Sequence, residues 1–219
     1  MSAGQMRHST DDLIHSLALD LRPTPRFAVP LRIAAGVAAG CLVSALFLLI
    51  AIGTRPDLAA VVSSGAFWAK VAYSLGTAAT ALFVSARLSR PGAKLRVAWL
   101  LLVPILLYSP AAIFELATTP RPDWGPLLLG HGWRRCTWLV LELSLPIYLG
   151  MLWAFRRFAP THLTEAGAVV GLTSAAASAV VYCLHCPTDT AVFAITWYTL
   201  AFVLAALLGS IIGRRLLRW

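Results

Sequence analysis

Long apolar runs separated by short polar breaks fill the chain from residue 32 onward. The pattern predicts six helices, at about 32–53, 66–87, 97–118, 134–155, 163–185 and 191–213. Each run is close to the roughly 20 residues that an α-helix needs to cross the hydrocarbon of a bilayer. Helices are expected because an open sheet edge would leave backbone groups without partners in lipid. The sequence therefore predicts an all-α, polytopic membrane protein with a six-helix transmembrane domain over residues 32–219.

Residues 1–31 are polar and carry one short apolar stripe. Ser9 and Asp12, three residues apart, are typical of a capped helix start. The apolar positions that follow recur at spacings of three and four residues, and they are Leu13, Ile14, Leu17, Ala18 and Leu21. Pro23 ends this predicted helix. Such a short helix is not stable alone in water, so docking on a partner, lying on the lipid surface and disorder all remain open.

Composition agrees with a membrane bundle. The chain has 219 residues, of which 59% are hydrophobic and only 12% are charged, about half the charged fraction of a soluble domain. Its net charge of +9 does not indicate nucleic-acid binding, because the basic residues are spread among the polar breaks rather than gathered in one patch. We therefore expect contact with membrane lipid and no direct contact with nucleic acid.

Basic residues are unequally distributed between the two faces of the predicted bundle. The face that includes both termini carries 13 of them, and the opposite face carries four. The positive-inside rule places the richer face in the cytoplasm. Both termini and the N-terminal arm are therefore expected to be cytoplasmic. In a bacterial inner membrane the opposite face is periplasmic, where disulfides can form and persist.

Residues able to carry chemistry collect at that outward face. Cys183, His185 and Cys186 lie in a Cys-x-x-Cys segment after the fifth helix, and Cys136 begins the fourth. Consecutive helices are neighbours, so Cys136 can approach Cys186. Passive thiols, a disulfide and transient capture of a soft metal ion all fit these residues, whereas a permanent metal site would need a second close pair. A protonated His185 would lower the pKa of a neighbouring thiol.

Charged residues also fall inside the predicted spans. Lys70 lies near the outer end of the second helix, and Glu115 and Glu142 lie toward the outer side of the third and fourth. Since a lone charge in lipid is costly, Lys70 is expected to pair with Glu142 or Glu115. The chain contains no hydrolase, P-loop or HExxH motif. We therefore expect neither enzyme activity nor a cofactor.

Small and aromatic residues give further expectations about packing. Three GxxxG pairs occur, at Gly36/Gly40, Gly167/Gly171 and Gly209/Gly213. They predict close packing of helices within the chain rather than a dimer face, and the oligomeric state stays open. An interfacial aromatic belt is expected at the outer helix ends from Trp124, Trp133, Trp138, Tyr182, Trp197 and Tyr198.

The order and spacing of several motifs resemble the NrsF-type anti-sigma factors. The matching residues are Asp12-Leu13-Ile14, Leu17, Asp20-Leu21, Pro23, Pro30-Leu31-Arg32, Phe67-Trp68-Ala69-Lys70, Arg90-Pro91-Gly92, Trp133, Cys136, Pro146, Gly167 to Gly171-Leu172, His185-Cys186-Pro187, Phe193 and Trp197-Tyr198. This resemblance implies an inner-membrane protein whose cytoplasmic arm holds an extracytoplasmic-function (ECF) sigma factor of the SigF type. It also implies that Cys136 and Cys186 respond to oxidants or heavy metals and free that partner, with Cys183 outside the pattern.

The main alternative is a membrane thiol–disulfide oxidoreductase that passes electrons from outward cysteines to a quinone. That function needs a second reactive pair, and Cys41 is an unsuitable member because it lies deep in the first helix. A small-molecule transporter is a third interpretation. The favoured interpretation assigns sigma-factor binding to Asp12, Leu13, Ile14, Leu17 and Leu21, and sensing to Cys136, Cys183, His185 and Cys186.

Overall fold

The computed structural model describes residues 14–15, 19, 28–89, 95–130, 132–156 and 162–216. Its principal helices are α1 (Ala28–Phe47), α2 (Leu58–Val61), α3 (Gly65–Leu88), α4 (Val103–Thr118), α5 (Trp124–Leu129), α6 (Trp133–Phe155), α7 (Leu163–Tyr182) and α8 (Ala191–Leu216). A π-helical turn, Leu48–Ile52, extends α1, and α8 contains another, Ala194–Tyr198. A 3₁₀ segment, Leu95–Leu102, leads into α4.

Within the described residues, six helical stretches are long and apolar enough to cross a membrane. They include α1, α3, α4, α6, α7 and α8, so the predicted six-helix membrane bundle is confirmed. The short helices α2 and α5 were not expected and occupy polar breaks between spans. Within the second of these breaks, the indole N–H of Trp124 donates to the carbonyl of Thr119 at 3.0 Å.

The end of α7 differs from the expectation in a way that affects the cysteines. The sequence placed the end of the fifth helix near residue 185, but α7 ends at Tyr182 with Cys183 as its C-terminal cap. The backbone N–H groups of His185 and Cys186 both turn back onto the carbonyl of Tyr182, at 2.9 and 3.0 Å. This turn moves Cys186 off the helix and into the loop of residues 183–190.

Glycines bring two pairs of helices into backbone contact. A Cβ atom added to Gly36 of α1 would lie closer than 3.0 Å to the carbonyl of Gly150 in α6. Likewise, a Cβ on Gly167 or Gly171 of α7 would meet the backbone of Gly209 or Ala205 in α8. The expected packing role of the GxxxG pairs within the chain is therefore confirmed.

The aromatic belt was predicted correctly only in part. Trp138 is 67% exposed, as an interfacial anchor would be, whereas Tyr182 and Tyr198 are 3% and 0% exposed. The two tyrosines face inward, with ring centroids 6.1 Å apart. Assigning them to the belt was wrong because an aromatic residue near a helix end can face either the lipid or a helix interface. Here both tyrosines pack around the cysteines.

Candidate functional site

The described residues include little of the predicted sigma-binding stripe. Asp12, Leu13, Leu17 and Leu21 lie outside them, while Ile14 is helical with 58% of its surface exposed. The assignment of these five residues to partner binding therefore stays a prediction. The cysteines at the opposite end of the bundle, in contrast, lie within the described residues.

Cys136 and Cys186 meet at this end of the bundle. Cys136 lies in the first turn of α6, where Gly132 with a φ of 97° begins the helix and accepts the backbone N–H of Cys136 at 3.1 Å. Cys186 lies in the loop after α7. Both are free thiols, 0% and 1% exposed, and their side chains are close enough to interact. The structure thus brings together the two cysteines for which the sequence allowed an approach.

Cys183 occupies a different environment at the C-terminal cap of α7. It is 1% exposed, and its sulfur lies 3.9 Å from the hydroxyl of Tyr198. Among the described residues, no group of three or more His, Cys, Asp or Glu side chains has the arrangement of a metal site. His131, a further potential ligand in the break before α6, lies outside the described residues.

His185 points toward the first outer loop. Its Nδ1 atom lies 2.8 Å from the carbonyl oxygen of Gly53, and its ring centroid lies 5.7 Å from that of Tyr182. These contacts join the loop after α7 to the loop after α1. The predicted effect of His185 on the neighbouring thiol stays a prediction.

Lys70 lies beside the loop that carries Cys186, and the partner expected for Lys70 was wrong. Lys70 is 0% exposed, and its ammonium pairs with Asp189 rather than with either in-span glutamate. Arg55 binds the other oxygen of the same carboxylate at 2.7 Å. Glu115 instead accepts the backbone N–H of residue 192 at 3.0 Å, and Glu142 is exposed beside a cavity between α6 and α8.

Sequence reasoning does not single out Arg55 and Asp189, because both lie in polar breaks between the predicted spans. A signal was available, since Arg55 is one of only four basic residues assigned to the outward face. Asp189 also follows the Cys-Pro-Thr segment directly. Only the fold shows that these two breaks lie against each other, with Arg55 donating its backbone N–H to the carbonyl of Leu184 at 3.0 Å.

The two cysteines of the Cys-x-x-Cys segment differ in acidity. A hydrogen bond from the Cys136 thiol, together with the positive charge of Lys70, lowers the pKa of the Cys186 thiol in spite of its burial. Burial raises the pKa of Cys183 to about 11. Because the thiolate is the nucleophile and the metal ligand, this difference in pKa favours reaction at Cys186.

These features define a class: a six-helix membrane protein with a buried thiol pair at one end and a short N-terminal arm before the bundle. The chain belongs to the NrsF family, described as "Negative regulator of sigma F", whose match covers residues 17–219. It is 36% identical over 212 residues to the anti-sigma-F factor NrsF of Caulobacter vibrioides (strain NA1000 / CB15N), covering 96% of this chain and 99% of that protein. It is 35% identical over 211 residues to the probable anti-sigma-F factor NrsF of Azospira oryzae (strain ATCC BAA-33 / DSM 13638 / PS), with the same coverage. No solved structure matches the chain significantly.

The acidity difference predicts which thiol is modified first. In membranes containing the full-length protein, we expect a small neutral alkylating reagent to modify Cys186 before Cys183 at pH 7. The rate at Cys186 should rise with pH and level off at a midpoint below about 8.5, the ordinary value for a cysteine. Tandem mass spectrometry distinguishes the two positions, and Cys186→Ser should remove the fast phase. Faster modification of Cys183 would contradict the assignment.

Proposed function

We propose that this protein is a membrane-bound anti-sigma factor whose N-terminal arm holds an ECF sigma factor of the sigma-F type. Reaction of the Cys136–Cys186 pair changes the bundle and frees the partner for transcription. The observation that carries this proposal is that two free thiols, Cys136 and Cys186, meet at one end of the bundle in a member of this family. A regulator with no catalytic activity fits the family description better than a thiol oxidoreductase does.

The location that we propose is the bacterial inner membrane, with both termini and the arm in the cytoplasm. The basic residues support it, because 13 lie on the face that includes the termini and four lie on the other. The same orientation places the thiol pair toward the periplasm. A cytoplasmic partner and a periplasmic signal then lie on opposite sides of one bundle.

The chemical step that we propose is formation of a disulfide between the two thiols, driven by a hydroperoxide. The Cys186 thiolate attacks one peroxide oxygen, which breaks the O–O bond, gives a sulfenic acid on Cys186 and releases an alkoxide that takes up a proton. The Cys136 thiol then displaces water from the sulfenic sulfur and forms the S–S bond. Two thiols and one hydroperoxide thus give one disulfide, one alcohol and one water. Heavy-metal stress, the second stimulus that the resemblance implies, is an additional arm of the test below.

The helix contacts offer a route from the thiols to the arm. Cys136 is carried by α6, and α6 packs on α1 with backbones in contact where Gly36 meets Gly150. Nearer the outer side, the hydroxyl of Ser44 in α1 donates to the carbonyl of Leu143 in α6 at 2.7 Å. Since α1 directly follows the arm in the sequence, a displacement of α6 reaches the arm through one helix. Moving a partner from 1% to 99% free requires roughly 5.5 kcal/mol of differential free energy.

Substitutions in the arm test the proposed partner contact. In the full-length protein, Leu13→Asp or Leu17→Asp should weaken retention of the sigma factor at membranes by tenfold or more, because an apolar anchor of about 2 kcal/mol is lost. Ser16→Asp adds the same charge off the stripe and should retain the partner. Co-sedimentation with membranes and a sigma-dependent reporter measure the effect. If the unsubstituted protein retains no sigma factor, the proposed function is wrong.

Serine substitutions test the proposed sensor. Cys136→Ser and Cys186→Ser should each abolish most of the release caused by a hydroperoxide or by a soft metal ion such as Cd²⁺, because one thiol cannot form the bond that joins the two segments. Cys41→Ser is the matched control, since Cys41 lies within α1, and it should respond normally. Equal loss of response in Cys41→Ser would contradict the assignment.

Alanine substitutions at glycine contacts test the route. Gly36→Ala should impair sigma-factor release while the Cys136–Cys186 disulfide still forms, because the added Cβ would force α1 away from α6. Gly209→Ala produces an equally close contact between α7 and α8, and Gly65→Ala meets nothing within 4 Å. A gel-mobility assay of the disulfide and the reporter are measured together, with protein levels in the membrane as a control. Uncoupling by Gly209→Ala as strong as that by Gly36→Ala would exclude the α6–α1 route.

A further inference from the structure

The loop that carries Cys186 is held in place by groups outside it. It connects α7 to α8 over residues 183–190, and several of its carbonyl groups accept hydrogen bonds from the loop after α1 and from α3. Arg55 donates through Nη1 to the carbonyl of Cys186 at 2.8 Å and through Nη2 to that of Pro187 at 3.2 Å. Pro187 has no backbone N–H, so it cannot donate a hydrogen bond within the loop.

Lys70 is the second external donor and lies beneath the loop. Its ammonium donates to the carbonyl of Thr188 at 2.9 Å, lies 3.5 Å from the carbonyl of Cys186, and pairs with the carboxylate of Asp189. An ammonium group has three N–H donors, and these three oxygens are positioned to accept from them. A fully buried lysine is tolerated only when it is paired in this manner.

We propose that Lys70 is a positioning residue for the thiol pair: it fixes the turn that presents Cys186 to Cys136 and supplies the positive charge that faces the Cys186 sulfur. The inference rests on the proposed role of this pair as the sensor. It assigns to an in-span lysine a function in thiol chemistry rather than in helix pairing alone. The two contributions, geometry and charge, both follow from the contacts of one ammonium group.

Ionisable groups from four elements surround the Cys186 sulfur. Cys136 approaches it from α6 and Tyr198 approaches it from α8. Tyr182 and Cys183 approach from α7, and Lys70 approaches from α3. Of these groups, the lysine alone brings a positive charge.

The charge balance of the loop favours a thiolate. Asp189 is the carboxylate of this loop, and it is shared by Lys70 and Arg55. Two cations around one carboxylate leave one net positive charge beside the sulfur. Asp57, the other partner of Arg55, is 55% exposed at its side chain and therefore screened by solvent. An anionic sulfur is thus stabilised at this position, whereas a neutral thiol gains little.

Two substitutions of opposite sign separate a charge effect from a purely structural one. Lys70→Met keeps the length of the side chain and removes its charge, so the pH midpoint for alkylation of Cys186 should move upward. Its rate at pH 7 should fall about tenfold for each unit of that movement. Asp189→Asn keeps the shape of the carboxylate and removes the negative charge, so the midpoint should move downward. A purely structural role predicts that both substitutions loosen the loop and change the reactivity in the same direction.

The measurement uses full-length protein in native membranes, with a Cys41→Ser/Cys183→Ser background that leaves the Cys136–Cys186 pair. Alkylation by iodoacetamide is followed from pH 5 to pH 9 by mass spectrometry. Lys70→Arg should restore most of the rate because it restores the charge, and Arg121→Met, an exposed cation in the break between α4 and α5, should match the parent. If Lys70→Met does not accumulate in membranes, Asp189→Asn provides the test alone.

Two results would overturn the inference. The first is an unchanged pH midpoint in Lys70→Met, and the second is a midpoint that Asp189→Asn leaves unchanged or raises. This assay contains no sigma factor, so its outcome is independent of the arm. Normal sigma-factor release by Cys186→Ser would overturn the proposed function instead and would leave the alkylation result standing.

Discussion

One half-buried carboxylate connects the end of the bundle that carries the thiol pair. Asp189 binds Lys70 from α3 and Arg55 from the loop after α1, and it belongs to the loop that carries Cys186. A lysine with no exposed surface inside a membrane-spanning helix would be strongly unfavourable without this partner. Because the pairing brings three distant parts of the chain together, the position of the Cys186 thiol depends on charges that lie outside its own helix pair.

Close backbone packing gives the rest of the bundle its rigidity. In lipid, association of helices relies on van der Waals contact and hydrogen bonds rather than on the hydrophobic effect. The glycines of α1 and α6, and those of α7 and α8, allow such contact. The thiol pair lies between these two helix pairs, since Cys136 is in the first turn of α6 and Cys186 follows α7. A bond between them would therefore act on the relative placement of two tightly packed helix pairs, one of which continues toward the arm.

Local patterns were sufficient for the architecture. Runs of about 20 apolar residues predict spanning helices. Apart from a closed barrel, only a helix satisfies all of its backbone hydrogen bonds in lipid. Residues 163–185 show where this reasoning loses accuracy: the apolar run continues past Tyr182, yet the helix ends there because two N–H groups turn back onto one carbonyl. Hydropathy measures whether a segment prefers lipid and is insensitive to such a turn. Helix order alone indicated that Cys136 could approach Cys186.

The sequence by itself determined the six helices, the small residues at their contacts, the uneven distribution of basic residues and the placement of three cysteines at one end. Only the tertiary structure decided that Lys70 pairs with Asp189 and not with Glu115 or Glu142, and that Tyr182 and Tyr198 face inward. The physical reason is that hydrophobic periodicity is a local property of the chain. The partner of a buried charge depends on which loop folds back onto which helix, and that is decided by contacts between residues more than a hundred positions apart.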